Sequence, residues 1–273
     1  MVKLLLSLLL ILNAQLAFGQ PERSPFHVLM DTARVKKLIA VDTVAGKTNV
    51  LLTANMDDPA FVFVFAPGGD GTLVIEAGAN GAPFTKRVRN PAYFFAPGFL
   101  EKQAAWAAID VPESFGITVS RQQRQEAKHL EAMVQVARRL REDYPKAKHI
   151  LIGHSNGGIT AGMLAIQARP AFDGFVFSAP NLSELPFSWE PRQAKAPIMF
   201  ITHENDDCGI QYRRLPISTL TKRAAGNSFP PTVIKSPSPG NHQECFAAPA
   251  PHFFTDVYGE YTDAIMKWAM SLK

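Results

Sequence analysis

The sequence predicts an α/β domain built on a mostly parallel sheet with helices on both faces. Three observations predict it. Short, wholly apolar runs such as FVFVFA at 61–66 read as strands buried on both sides. Such runs alternate along the chain with helical segments, as a doubly covered sheet requires. The length of 273 residues, with 47% hydrophobic and 19% charged residues, suffices for one large core and excludes wholesale disorder. No internal repeat and no linker-like stretch interrupts residues 20–273, so a single domain is expected.

The first segment reads as an address. Lys3 gives a positive start, 4–12 is almost entirely apolar, and Ala17 and Gly19 are small residues ahead of Gln20. This is the pattern of a secretory signal peptide at 1–19. The apolar run is too short for an ordinary transmembrane span. A retained membrane anchor is the alternative. The mature chain is expected to start near Gln20, to lack a membrane span and to be secreted or periplasmic. Lys and Arg number 28 against 24 Asp and Glu, a net charge of +4. That bias is weak and no Lys/Arg tract is present, so no nucleic-acid partner is expected.

Residues 21–47 are weakly patterned. Strands are expected at 48–53, 61–66, 72–76, 106–110, 149–153, 172–180, 197–202 and 231–236. The stretch 77–104, rich in Gly, Pro and Phe, reads as ordered loop. The clearest helix follows Ser120, which with Gln123 forms a capping-box pattern. Ala127, Leu130, Val134, Ala137 and Leu140 then make one apolar stripe, which leaves His129 reading as a surface residue. The helix ends at Tyr144-Pro145. A small-residue helix is expected at 156–168 and a last one at 257–271. Only about eighteen residues separate the strands near 178 and 197, too few for a large cap. Leu185, Phe187 and Trp189 in that connection could form an apolar rim or simply pack.

The strongest local signal is Gly153-His154-Ser155-Asn156-Gly157, which fits G-x-S-x-G between a strand and a helix. Ser155 would sit on a sharp, sterically strained turn that lifts its hydroxyl clear of the backbone. A serine needs a base. Among the seven histidines, His252 and His242 lie on loops beyond the last strands; His252, just before the last helix, is preferred. The base needs an orienting carboxylate, and the strand at 197–202 runs into two aspartates. Asp207 is preferred, with Asp206 as the alternative. The turn Pro67-Gly68-Gly69-Asp70-Gly71 can offer backbone donors to a substrate oxygen, with Gly69 N–H first and Asn156 N–H second. Export would permit Cys208 and Cys245, the only cysteines, to form a disulfide. It would tie the acid loop to the histidine loop.

These motifs, PGGDG at 67–71, GHSNGG at 153–158, HENDDC at 203–208 and the stretch ending at His252, resemble the α/β-hydrolase superfamily over about residues 48–272. The resemblance implies a three-layer α/β/α sandwich around an about eight-stranded sheet. It implies nucleophile, acid and base in the chain order Ser155, Asp207, His252, with Gly69 and Asn156 as oxyanion donors. Pro67 stands where many esterases of the superfamily have histidine, and Glu204 replaces a common glycine. The implied activity is that of a serine hydrolase cleaving small or polymeric carboxylic esters through an acyl-enzyme, with no cofactor and no metal. A serine peptidase or deacylase on the same fold is the first alternative, and a noncatalytic binding protein the second.

Overall fold

The structure is a computed structural model that describes residues 33–78, 83–85, 92–167, 170–186, 189–206, 231–236, 251–254 and 257–272. The expected signal peptide at 1–19, His242, Asp207 and both cysteines lie outside the described residues. The expected Cys208–Cys245 disulfide is corrected accordingly. The described residues contain no disulfide bond.

Among the described residues ten strands are formed, β1 Val35–Thr43, β2 Gly46–Ala54, β3 Phe61–Ala66, β4 Ile75–Ala77, β5 Pro83–Thr85, β6 Ala105–Ile109, β7 Lys148–His154, β8 Gly174–Ser178, β9 Ile198–His203 and β10 Thr232–Ile234. The α-helices among the described residues are α1 Ala92–Glu101, α2 Ala127–Asp143, α3 Gly157–Ala165 and α4 Tyr258–Ser271. Eight strands share one sheet in the order β1-β2-β6-β3-β7-β8-β9-β10. β2 pairs antiparallel with β1 and β6, and from β6 to β10 every pairing is parallel. Strands β4 and β5 form a separate antiparallel ribbon. The expected strand at 72–76 therefore lies outside the main sheet.

The alternation within β3 shows how the layers form. Val62 and Val64 pack into one apolar cluster with Leu130 and Val134 of α2 and with Ile159 and Leu164 of α3. Phe63 and Phe65 point the other way, toward Phe99 of α1 and Tyr261, Ile265 and Trp268 of α4. All these strand residues are fully buried, as the period of two demands when helices cover both faces. The result is the expected three-layer sandwich.

Several elements depart from the sequence reading. α1 occupies part of the expected loop and carries Pro97 within it. Its Ala96, Phe99 and Leu100 are buried, so tertiary packing overrides poor helix propensity. The Ser120 capping box does form, with Gln123 N–H on Ser120 Oγ at 3.1 Å and Ser120 N–H on Gln123 Oε1 at 2.8 Å. It opens a short 3₁₀ turn at Gln123–Gln125, and α2 starts only at Ala127. Leu185 and Trp189 are buried, with the Trp189 indole N–H on Gly162 O at 2.9 Å. They pack the connection down and form no rim. Phe187 lies outside the described residues.

His129 is also corrected. It is 3% exposed, sits edge-on to Phe115 and joins α2 to α3 through Nε2 and Thr160 Oγ1 at 3.1 Å. Burial, and then the Arg124 charge, lower its pKa from 6.5 to about 3. The folded protein thus holds His129 neutral where the unfolded chain protonates it. Between these two values the unfolded state binds more protons, so stability rises with pH. This contribution is complete above pH 6.5 and is lost as pH falls toward 3. Unfolding in urea should show stability falling by about 3 kcal/mol from pH 6.5 to 4 through this group. His129→Gln should flatten that slope, and an unchanged slope would refute the assignment.

Candidate active site

The site forms where strands end. β3 and β7 are paired neighbours, with Ala66 opposite Gly153. The helices following them, α1 and α3, pack on opposite faces of the sheet. Connections that leave adjacent strands toward opposite faces open a crevice at the carboxyl ends, where ligands bind in such sheets. The turn at 67–71 follows β3, Ser155 follows β7, and Asp206 follows β9.

Ser155 has φ 53°, a left-handed conformation unfavourable for a residue with a side chain. The surroundings enforce it. Ser155 N–H donates to Ser178 O at 2.9 Å, while Ser155 O accepts Gly158 N–H at 3.0 Å and Asn181 N–H at 2.8 Å. The glycines of the motif are required by close approach. A Cβ at Gly153 would lie 2.5 Å from Gly157 O, and one at Gly68 would lie 2.6 Å from Ser155 Cβ. Gly68 thus lies directly against the Ser155 side chain. Two further strained residues, Ala179 (φ 40°) and Phe254 (φ 54°), border the same region. Such strain persists only where neighbouring structure over-determines it, and it concentrates at functional sites.

His252 is 1% exposed and lies in the turn Pro251–Phe253. Its Nδ1 meets Asp206 Oδ2 at 2.9 Å, and the Asp206 side chain is itself 7% exposed. Its ring packs on that of His154, the residue before Ser155, with centroids 4.9 Å apart. The structure therefore brings together the preferred base and the alternative acid; the preferred acid, Asp207, is outside the described residues. The acid loop is anchored to the sheet edge, with Glu204 N–H on Ile234 O at 2.9 Å and Ser236 N–H on Glu204 Oε1 at 2.9 Å.

Gly69 (φ 56°) lies in a turn closed by Gly71 N–H on Gly68 O at 3.0 Å. Among the described residues neither Gly69 N–H nor Asn156 N–H donates to a protein acceptor. The Asn156 side chain donates to Gly69 O at 2.9 Å, and Asn181 Nδ2 in turn donates to Asn156 Oδ1 at 2.8 Å. This clamp holds the Ser155 turn and the turn at 67–71 in one register.

Sequence reasoning missed a buried polar chain behind the site. Tyr261 OH donates to Ser178 Oγ at 3.0 Å, and Ser178 Oγ lies 3.0 Å from His154 Nδ1. Burial pushes the Tyr261 phenol well above its ordinary pKa, so it stays a donor. A tyrosine within the last helix is the one sequence signal that could have pointed to it.

The sheet order, with a strained serine turn after β7 and a buried histidine–carboxylate pair near it, defines the class by fold: an α/β-hydrolase-fold protein. A family model described as serine aminopeptidase, S33, matches residues 117–202. That stretch includes Ser155 but neither Asp206 nor His252. A search of curated proteins gave no match. Among solved structures, the chain is similar to a lidless α/β serine hydrolase from Xanthomonas campestris (14% identity, 86% of this chain and 95% of that one, TM-score 0.57). It is likewise similar to a dienelactone hydrolase from Anabaena variabilis (16%, 85% and 97%, TM-score 0.59). An acylaminoacyl peptidase from Pyrococcus horikoshii matches over 89% of this chain but 43% of its own (11%, TM-score 0.56). At these identities the likeness is one of fold.

Proposed function

We propose that the protein hydrolyses carboxylic esters through an acyl-enzyme on Ser155, with His252 as base and Asp206 as its orienting carboxylate. One observation carries this: the buried His252–Asp206 pair at 2.9 Å, whose imidazole packs at a tilt against the residue preceding the strained serine. Asp206 accepts a hydrogen bond from Nδ1–H, which leaves the Nε2 lone pair to take the Ser155 proton as Oγ attacks the carbonyl. The oxyanion forms against Gly69 and Asn156 N–H. The Nε2 proton then passes to the leaving alcohol. Water repeats the sequence on the acyl-enzyme, releasing the acid and restoring the serine.

The short connection between β8 and β9, packed down by Trp189, supports an open cleft that admits varied esters. A peptidase is the second reading, favoured by the serine aminopeptidase match across the serine turn. Labelling with a fluorophosphonate, followed by peptide mapping, tests the nucleophile: label should sit on Ser155 and vanish in Ser155→Ala. Label elsewhere, or none on the native protein, would overturn the proposal. Turnover of p-nitrophenyl esters well above that of peptide anilides is expected, and the reverse ranking would select the peptidase.

A further inference from the structure

We infer that Arg124 is a positioning residue for the oxyanion hole, holding the Gly69 N–H in its productive orientation from behind the turn. The inference rests on the hydrolase reading above.

The turn at 67–71 has three consecutive carbonyls, and each is engaged. Pro67 O accepts Arg124 Nη2 at 3.0 Å. Gly68 O accepts Gly71 N–H at 3.0 Å. Gly69 O accepts Asn156 Nδ2 at 2.9 Å and lies 3.4 Å from Arg124 Nη2. In a trans peptide the C=O and the following N–H point in opposite directions. Fixing Gly68 O therefore fixes Gly69 N–H, and fixing the carbonyls on either side keeps that central peptide from rotating. The restraint is needed because two successive glycines confer little resistance to rotation.

Packing does not supply it. A small cavity lined by Ala66, Pro67, Gly71, Arg124 and His129 lies behind the turn. Val119 and Ser155 side chains press on Gly71 and Gly68, but no atom lies within 4 Å of an ideal Cβ at Gly69, so polar bonds hold that residue. Arg124 is 2% exposed, and burial lowers its pKa to about 10 despite the nearby Asp70 charge. Burying a guanidinium is unfavourable. A methionine or leucine would fill the same volume without that cost, but could not bind both carbonyls.

The test compares an oxo-ester with its thiono-ester in the full-length protein. A thiocarbonyl sulfur accepts hydrogen bonds poorly, so its transition state gains little from the oxyanion donors. In Arg124→Met, kcat/KM for the oxo-ester should fall about 100-fold, the size of a lost oxyanion donor. The thiono-ester rate should stay within about threefold, because Ser155 and His252 are untouched. Arg124→Lys, which can reach the same carbonyls with one ammonium, should bring the oxo-ester rate back to within about tenfold of native. Equal losses on both substrates, or no loss, would overturn the inference. Should Arg124→Met fail to fold, Arg124→Gln, too short to reach both carbonyls, takes its place: equal losses on both substrates, or none, overturn the inference. Native protein without Ser155-dependent turnover would instead overturn the hydrolase reading itself.

Discussion

Asp206→Asn should lower kcat on p-nitrophenyl esters by about four orders of magnitude, while Asp207→Asn stays within about tenfold of native. The effect is large because the substitution changes the proton's address with almost no change in shape. Asp206 Oδ2 lies 2.9 Å from His252 Nδ1 and, as a carboxylate, can only accept there. The proton is then held on Nδ1 and Nε2 is free to act as a base. An asparagine amide can donate to Nδ1 instead. That stabilises the other tautomer, in which Nε2 carries hydrogen and cannot take the Ser155 proton. The loss of the negative charge also removes support for the imidazolium that forms during attack. Steady-state kinetics on both variants, with circular dichroism to confirm folding, make the comparison. A collapse in Asp207→Asn with Asp206→Asn nearly unaffected would move the acid by one residue.

That one-residue question shows what the sequence could and could not resolve. The serine turn was legible because its physics is local: small residues on both sides of a serine, between a strand and a helix, leave few other structures available. The buried strand β3 was legible for the same reason, through six apolar residues ending at Pro67. The choice between adjacent aspartates is different. Successive residues on a loop point in unrelated directions, and the path after β9 is set by Glu204 binding across to Ile234 and Ser236, contacts at a distance of some thirty residues. β1 escaped notice because it lies at the sheet edge with half-exposed residues, including Lys36 and Lys37, which blur its alternation. α1 escaped because its helix depends on close approach to α4. A Cβ at Gly98 would lie 2.6 Å from the Thr262 side chain, so the glycine that lowers helix propensity is what permits the contact. His129 read as exposed because the stripe on α2 marks only the sheet-facing side. Phe115 and Thr160 cover it from elsewhere.

Gly157→Ala should destabilise the protein by about 3 kcal/mol or more, at the upper end of overpacking costs, and the fraction that folds should lose most of its ester hydrolysis. The added Cβ would lie 2.0 Å from Ala66 O, 2.9 Å from Ala66 C and 3.1 Å from Pro67 O. These are backbone atoms at the end of a central strand, with no flexible side chain to yield. Relief requires β3 and α3 to separate, and the first atoms to move are those leading into the oxyanion turn, including the Pro67 carbonyl that binds Arg124. Stability and activity are therefore coupled at this position. Gly69→Ala offers the contrast. No atom lies within 4 Å of its ideal Cβ, and its φ of 56° is the only obstacle, a strain of about 1–2 kcal/mol. Urea unfolding of the two variants should separate them by more than about 1 kcal/mol. Equal stability would mean that the contact between α3 and the end of β3 is looser than the structure shows, and the tight register of serine and oxyanion donors would lose its steric basis.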